Sequence, residues 1–453
     1  MSSLYIIFIV VAAVTLLLLM VLKFKLSAFV ALLITSIIVG LLAGMPLNSI
    51  TESIQEGMGS TLGFIAVVVG LGAIFGQMLE SSGGAKSLSK YLLKKFGKAN
   101  SSWALMLSGF LIGIPIFLDV GFIILIPIVY ALSRNTGKSL LFYAIPLLAG
   151  LAVTHTMVPP TPGPMAVAKM LGVDIGYVVL FGIIVGLPSA AIAGPLFGKF
   201  IAERINVNPP PELLAPDEPG KETDSDLPSF WTIFMIILTP LFLILVSTFV
   251  KLAVENENIS GSSLTDIIVF LGHPFTALLV AALLSILFCL KRKMPAGEIL
   301  DLSTRSLGPA GIIILVTGAG GVLKQVLIDS GIGEILARSI AGSSFPLILL
   351  AWILASVVRI TQGSATVAMI TAAGIMAPIL TGLDLSQQHL ALIVISIAAG
   401  ATIMSHVNDS GFWIVSKYLG MNEKQTLRSW TIMETIIALS GLAFTLLLSL
   451  FIK

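Results

Sequence analysis

The chain contains a series of apolar runs, each about as long as the ~20 residues that an α-helix needs to cross a bilayer. Two of them, residues 4–22 and 26–44, follow each other directly. Further runs begin near Thr61, Leu140, Tyr177, Trp231, Ile267, Pro309, Leu390 and Trp430. Of the 453 residues, 57% are hydrophobic and 11% are charged, whereas soluble domains have roughly 25% charged residues. These runs therefore predict an all-α polytopic membrane protein.

The basic residues between the runs predict how the chain crosses the membrane, because Lys and Arg are enriched in cytoplasmic loops. Five lysines lie within residues 86–98 and three basic residues within 291–293, whereas residues 45–59 and 255–266 are acidic. This distribution predicts both termini on the outside of the cytoplasmic (inner) membrane. The lipid bilayer is one expected partner, and the net charge of +2 gives no reason to expect nucleic acid.

Residues 103–132 begin and end beside basic segments, so we expect them to enter and leave the membrane on the cytoplasmic side. Pro115 and Asp119 interrupt their apolar sequence. Irregular backbone at membrane depth is tolerated only inside protein or beside a water-filled cavity. We therefore predict a re-entrant hairpin over these residues; two closely spaced ordinary crossings are the alternative.

An internal repeat with a shift of 248 residues divides the chain in two. Residues 70–92 share seven identities in 23 positions with residues 318–340, and Gly163 to Gly172 match Gly411 to Gly420 at the same shift. The repeat predicts halves at 1–202 and 230–453, joined by a cytoplasmic linker at 203–229 that is rich in proline. Each half is expected to hold five crossings and one hairpin. Because five is odd, the second half must be inverted, which is the architecture of secondary transporters.

Four segments place polar or helix-breaking residues where apolar ones are expected, namely two hairpins and two broken spans. The half-helices that follow such breaks present free amides to a carboxylate, and Ser, Thr, Asn and Gln hydrogen-bond to hydroxyl groups. The segments therefore predict discontinuous helices at the midplane around a site for a small polyhydroxy acid. The candidate binding residues are Asp119, Thr154, His155, Pro160, Thr161, Gly163, Thr361, Gln362, Gly363, Ser364, Thr366, Ser405, His406, Asn408 and Asp409.

Several of these side chains are ionisable. Such groups cost ~2.5–3.5 kcal/mol each within the membrane even on the insertion scale, so they usually face a cavity. Asp119, Asp409, His155 and His406 are therefore the candidates for carrying a coupling proton. Alternatively, His155 could hydrogen-bond a carbonyl in a packed core. Arg359 could pair with Asp409 or Asp119, or could reach the outer interface.

The sequence favours an ion gradient as the energy source. Gly137-Lys138-Ser139 looks like the end of a phosphate-binding loop, but Leu132 stands where that motif requires glycine. An intramembrane enzyme with Asp119 and Asp409 as a catalytic pair, and a passive channel, are the alternatives. The repeat and the paired hairpins argue against the enzyme, and broken helices from both halves suggest an occluded midplane site instead of a channel. We expect no enzymatic activity, no cofactor and no metal.

The four polar segments resemble those of the gluconate permease family, and the resemblance covers nearly the whole chain. Its most specific stretches are residues 363–368 and 405–413. The resemblance implies a homodimeric bacterial symporter that imports gluconate or a related sugar acid with protons by an elevator-like movement. A carrier of D-serine or another small carboxylate or amino acid, or a sodium-coupled carrier, is the alternative. Asp119 stands where the family commonly has Glu, and Thr161 where many members have His.

Overall fold

The computed structural model describes residues 5–452 except for 6–8, 10, 11, 14, 18, 21, 22, 211–226, 256–258, 333–345 and 408. This part of the chain is helical and contains no strand. We number the helices from the first one that is described throughout. The first half contains α1 (Ala28–Leu42), α2 (Leu47–Ser81), α3 (Gly84–Phe96), α4 (Ser101–Ile112), α5 (Leu118–Thr136), α6 (Leu141–Met157), α7 (Pro162–Leu171), α8 (Ile175–Ala191) and α9 (Phe197–Ala202).

The second half continues the same plan. It contains α10 (Phe230–Glu255), α11 (Ser263–Leu271), α12 (Pro274–Lys291), α13 (Ala296–Asp329), α14 (Leu347–Gln362), α15 (Ala365–Thr381), α16 (Gln387–Gly400), α17 (Ser410–Leu419), α18 (Glu423–Thr426) and α19 (Ile432–Ser449). A π-helical turn joins α8 to α9 at Ile192–Leu196, and another joins α18 to α19 at Leu427–Thr431. Among the described residues, eight segments are long and apolar enough to cross a membrane. The prediction of an all-α multi-pass protein is confirmed.

The helix boundaries follow the repeat that the sequence predicts. Helix α7 spans Pro162–Leu171 and α17 spans Ser410–Leu419, which are the same positions 248 residues apart. The division into units at 1–202 and 230–453 stays a prediction, as does the linker between them. Most of that linker, residues 211–226, lies outside the described residues.

Helices α2 and α13 are equivalent in the repeat and pack against each other along their length. Near the start of α2, the Ser53 hydroxyl donates to Asp329 at the end of α13, at 2.5 Å. Further along α2, Gly70 faces Leu307, which lies nearer the start of α13. The two helices therefore run antiparallel. An inverted repeat places equivalent helices in opposite directions, so the predicted inversion is confirmed.

Helices α4 and α5 form a hairpin that ends level with the break after α6. Helix α4 lies parallel to α6, because Gly109 packs against Leu147 and Gly113, just beyond α4, packs against Thr154. The chain leaves the end of α4 and must return through α5 to reach the start of α6. The tip of this hairpin therefore reaches only the depth of the break, and the predicted re-entrant hairpin is confirmed.

The second half repeats this arrangement with α14 and α15. Helix α14 lies parallel to α16, since the Ser396 hydroxyl donates to the carbonyl of Ile348 at 2.6 Å and the Ser356 hydroxyl to that of Gly400 at 3.4 Å. The break after α16 runs from residue 401 to the start of α17. Both predicted broken spans are thus present, each beside the tip of a hairpin.

The close approach of α4 to α6 gives a test of this packing. A methyl group at Gly150 of α6 would overlap the backbone of α4 at Met106 and Phe110. We expect Gly150→Ala to lower the stability by about 1–3 kcal/mol, as overpacking does. Thermal denaturation of the purified protein in detergent measures the change.

Gly63→Ala is the matched control, because nothing lies within 4 Å of a methyl group at Gly63 of α2. Alanine favours a helix over glycine by about 1 kcal/mol, so this variant should be unchanged or more stable. Equal melting temperatures for the Gly150 variant and the wild type would contradict the described packing.

Candidate functional site

A cavity of about 520 Å³ lies where the two hairpin tips, the second broken span and α6 meet. Pro309 and Ile313, from the middle of α13, also line it, so it lies near the middle of the membrane-spanning helices. Its volume is in the range of ~300–1,000 Å³ that small-molecule sites occupy. The polar residues of its lining are Asp119, His155, Thr156, Arg359, Gln362, Ser364, Thr366, Asp409, Ser410, Trp430 and Glu434.

Three helices begin at the wall of this cavity. The first-turn residues of α5, α15 and α17 all belong to its lining. Ser364 caps α15 and Asp409 caps α17 through first-turn amides, whereas no described side chain caps α5 at Leu118. Helix N-termini carry partial positive charge and unpaired N–H groups, so the cavity is suited to an anion.

A buried ion pair joins the second hairpin to the second broken span. The Arg359 guanidinium lies 2.6 Å from Asp409, and their side chains are 3% and 12% exposed. Arg359 also donates to the carbonyl of Gly363 at the hairpin tip. Asp409 accepts from the Ser405 hydroxyl, which in turn accepts from the Trp430 indole at 2.6 Å. Of the partners that the sequence offered for Arg359, the structure shows Asp409.

Four buried polar atoms in the lining residues have no hydrogen-bond partner among the described residues. They are His155 Nδ1, Arg359 Nε, Gln362 Oε1 and Glu434 Oε1. Nearly all buried polar groups in proteins are hydrogen-bonded. Their clustering around one cavity therefore marks groups that a ligand or water would satisfy.

The structure brings seven of the predicted site residues to this cavity: Asp119, His155, Gln362, Gly363, Ser364, Thr366 and Asp409. Gly363 has a φ of 84°, a conformation that glycine adopts at little cost. This residue ends α14 and turns the chain at the hairpin tip.

Several predicted residues lie elsewhere, because the tip of the first hairpin covers the first break. Pro160 and Thr161 line a separate space of about 20 Å³ beside that tip. The Thr161 hydroxyl donates to the carbonyl of Val158 at 2.7 Å. Gly163 packs against Met369 instead of the cavity. The structure therefore does not bring the first break and the second break to the same cavity.

The remaining predicted residues support the backbone around the site. The hydroxyls of Thr154 and Thr361 donate to carbonyls of their own helices. Ser405 holds Asp409 as described, and the His406 ring lies 2.8 Å from the carbonyl of Ile360. Asn408 lies outside the described residues.

Glu434 and Trp430 belong to the cavity although the sequence reasoning did not select them. Glu434 is 3% exposed and lies in α19. A sequence signal exists for it, because it is the one acidic residue in the last apolar run. A carboxyl group within this membrane segment is as costly as that of Asp119. Trp430 carries no such signal, since aromatic residues are common in membrane helices.

The buried ion pair gives a second test. Asp409→Asn would leave the Arg359 charge buried without its partner, which typically costs about 3–5 kcal/mol. We expect a large loss of thermal stability in detergent. The double variant Arg359→Met, Asp409→Asn removes both charges and should recover part of that loss. Equal thermal stability of Asp409→Asn and the wild type would show that the ion pair does not stabilise the break between α16 and α17.

These features define the class of the protein. Two inverted copies, paired hairpins and a polar cavity among interrupted helices are the architecture of secondary transporters. The chain matches the family model described as GntP family permease over residues 4–451, and it belongs to that family. The resemblance to gluconate permeases is confirmed.

Named relatives agree with this assignment. The chain is 43% identical to a gluconate permease of Pseudomonas aeruginosa, with 94% of each chain covered. It is 39% identical to a low-affinity gluconate transporter of Escherichia coli K12, with 97% of each covered. It is 36% identical to the Gnt-II system L-idonate transporter of the same organism, with 96% of this chain and 97% of the relative covered. Because these relatives are permeases and transporters, the prediction that the chain is not an enzyme is confirmed.

One solved structure is similar to the fold. The Alcanivorax borkumensis YdaH transporter superposes with a TM-score of 0.64 at 13% sequence identity, covering 92% of this chain and 96% of that chain. At this identity the likeness shows the fold alone.

Proposed function

We propose that this permease imports gluconate or a closely related sugar acid together with protons. The observation that carries the proposal is the cavity, where three helix N-termini, Arg359 and unpaired polar atoms surround one space. The names of the relatives support gluconate or idonate as the substrate class.

The polar lining suggests how a sugar acid would be held. The substrate carboxylate lies against the first-turn amides of α15, at Ser364 to Thr366, and near the unpaired Nε of Arg359. Gln362, His155 and Thr366 face the same space and bind the hydroxyl groups. The sequence also suggests Asn408 for this role, but that residue lies outside the described part of the chain.

The charges of the cavity support coupling to protons. Among the described lining residues, three are acidic (Asp119, Asp409 and Glu434) and one is an arginine, Arg359. An anionic substrate would add another negative charge in a space of low dielectric, where like charges strongly disfavour ionisation. A proton that enters with the substrate removes this repulsion.

We also propose where the permease lies and how its substrate site moves. The permease lies in the cytoplasmic membrane with both termini outside, as the basic segments indicate. It forms a homodimer and moves its site in an elevator-like manner, as the family resemblance implies. Labelling of single cysteines placed within residues 86–98 and 45–59 tests the topology, since the two segments should react from opposite sides.

Uptake into proteoliposomes tests the function. With an inside-alkaline pH gradient, labelled gluconate should accumulate above its outside concentration, and a proton ionophore should abolish the accumulation. Accumulation that is indifferent to the pH gradient but lost when choline replaces Na⁺ would establish the sodium-coupled alternative. Competition by D-serine that exceeds competition by other aldonates would instead favour the amino-acid carrier.

Gln362 tests the assignment of the cavity as the substrate site. Gln362→Met keeps the approximate size but removes the amide, so each lost hydrogen bond should weaken binding by about 1–3 kcal/mol. We expect a KM for gluconate raised roughly tenfold to a hundredfold with unchanged thermal stability. Gln55→Met, at an exposed position on α2, is the control. An unchanged KM for the Gln362 variant would place the substrate elsewhere.

A further inference from the structure

The cavity contains a carboxyl group that differs from its neighbours in its surroundings. Glu434 is 3% exposed, and its Oε1 has no hydrogen-bond partner among the described residues. Arg359, the arginine of the cavity, is already paired with Asp409. Burying a carboxylate without a partner is costly, and among the described residues none forms an ion pair with Glu434.

The other two acidic residues of the cavity have surroundings of a different kind. Asp409 pairs with Arg359 and accepts hydrogen bonds from the Ser405 hydroxyl and from the Gly411 amide at 3.0 Å. Asp119 is exposed to the cavity and lies in the first turn of α5, where the helix dipole favours negative charge.

The charged groups near Glu434 come from the elements packed around α19. These are α6, α8, α14, α16 and the π-helical turns. They contribute His155 from α6 and Arg359 from α14, and Asp409 lies at the start of α17. Among the described residues, α8 and α16 contribute no side chain to the cavity lining. Glu434 therefore shares the cavity with one ion pair, with His155 and with the carboxyl group of Asp119 from the first hairpin.

We infer that Glu434 takes up the coupling proton and must be neutral for the anionic substrate to bind. This inference rests on the proposed function of sugar-acid symport. On the outer side, Glu434 gains one proton and the substrate anion binds beside it. On the inner side, the substrate leaves and the carboxyl group loses that proton. One proton thus moves with one anion, and the binding of each favours the other.

Binding of labelled gluconate to the purified full-length protein between pH 6 and pH 9 tests this role. For the wild type, the affinity should fall by up to about tenfold per pH unit once the pH exceeds the titration of Glu434. Glu434→Gln mimics the protonated form, so it should bind gluconate with an affinity that no longer depends on pH. Glu423→Gln, at an exposed position in the same membrane segment, should retain the slope of the wild type.

Transport separates coupling from binding. In proteoliposomes, Glu434→Gln should still exchange internal for external gluconate but should not accumulate it in response to a pH gradient. Accumulation by this variant would overturn the inference. A folded Glu434→Gln protein that no longer binds gluconate, or one that keeps the wild-type pH slope, would also overturn it.

Two further outcomes are distinguishable. If Glu434→Gln does not fold, Glu434→Asp should retain coupled uptake with a shifted pH midpoint, and an unchanged midpoint would overturn the inference. If the wild type neither binds nor accumulates gluconate, the proposed function is rejected, and this result does not depend on any Glu434 variant.

Discussion

The ion pair between Arg359 and Asp409 joins the two places where the helices of the second half are interrupted. These are the hairpin tip between α14 and α15 and the break between α16 and α17. A break in a membrane helix leaves backbone groups without partners, and lipid cannot supply them. Here the guanidinium binds the carbonyl of Gly363, while the carboxylate binds the amide of Gly411. The same carboxylate reaches Trp430 through Ser405. The hairpin tip, the start of α17 and the last membrane segment therefore depend on one pair of charges.

Much of this architecture can be read from the sequence, because lipid imposes simple rules. The apolar runs indicate the spans, and the shift of 248 residues indicates two related halves. The odd number of crossings then requires inversion, which the antiparallel packing of α2 and α13 shows. The clusters of polar and helix-breaking residues around Pro115 and Pro160 locate two of the interruptions, whereas single prolines such as Pro309 lie inside continuous helices.

The sequence is less informative about which interruptions share a cavity. Thr161 and Asp409 occupy equivalent positions in the repeat, but the first hairpin tip covers Thr161 while Asp409 remains at the cavity. That difference arises from packing between helices that are distant in the chain. For Glu434, in contrast, the sequence indicates the residue itself. Its type and position already indicate a costly buried acid, but only the packing of α19 shows which space it faces.

The uneven distribution of charge between the two halves has a consequence for how many substrate molecules one chain binds. At a shift of 248 residues, Arg359, Asp409 and Glu434 correspond to Leu111, Thr161 and Gly186. Gly186 packs against Val153, so no carboxyl group occupies the related place in the first half. The two halves supply related helical frameworks, but the buried ion pair and the buried carboxyl group are present in one of them. The proposed function therefore predicts a single substrate molecule per polypeptide in each transport cycle.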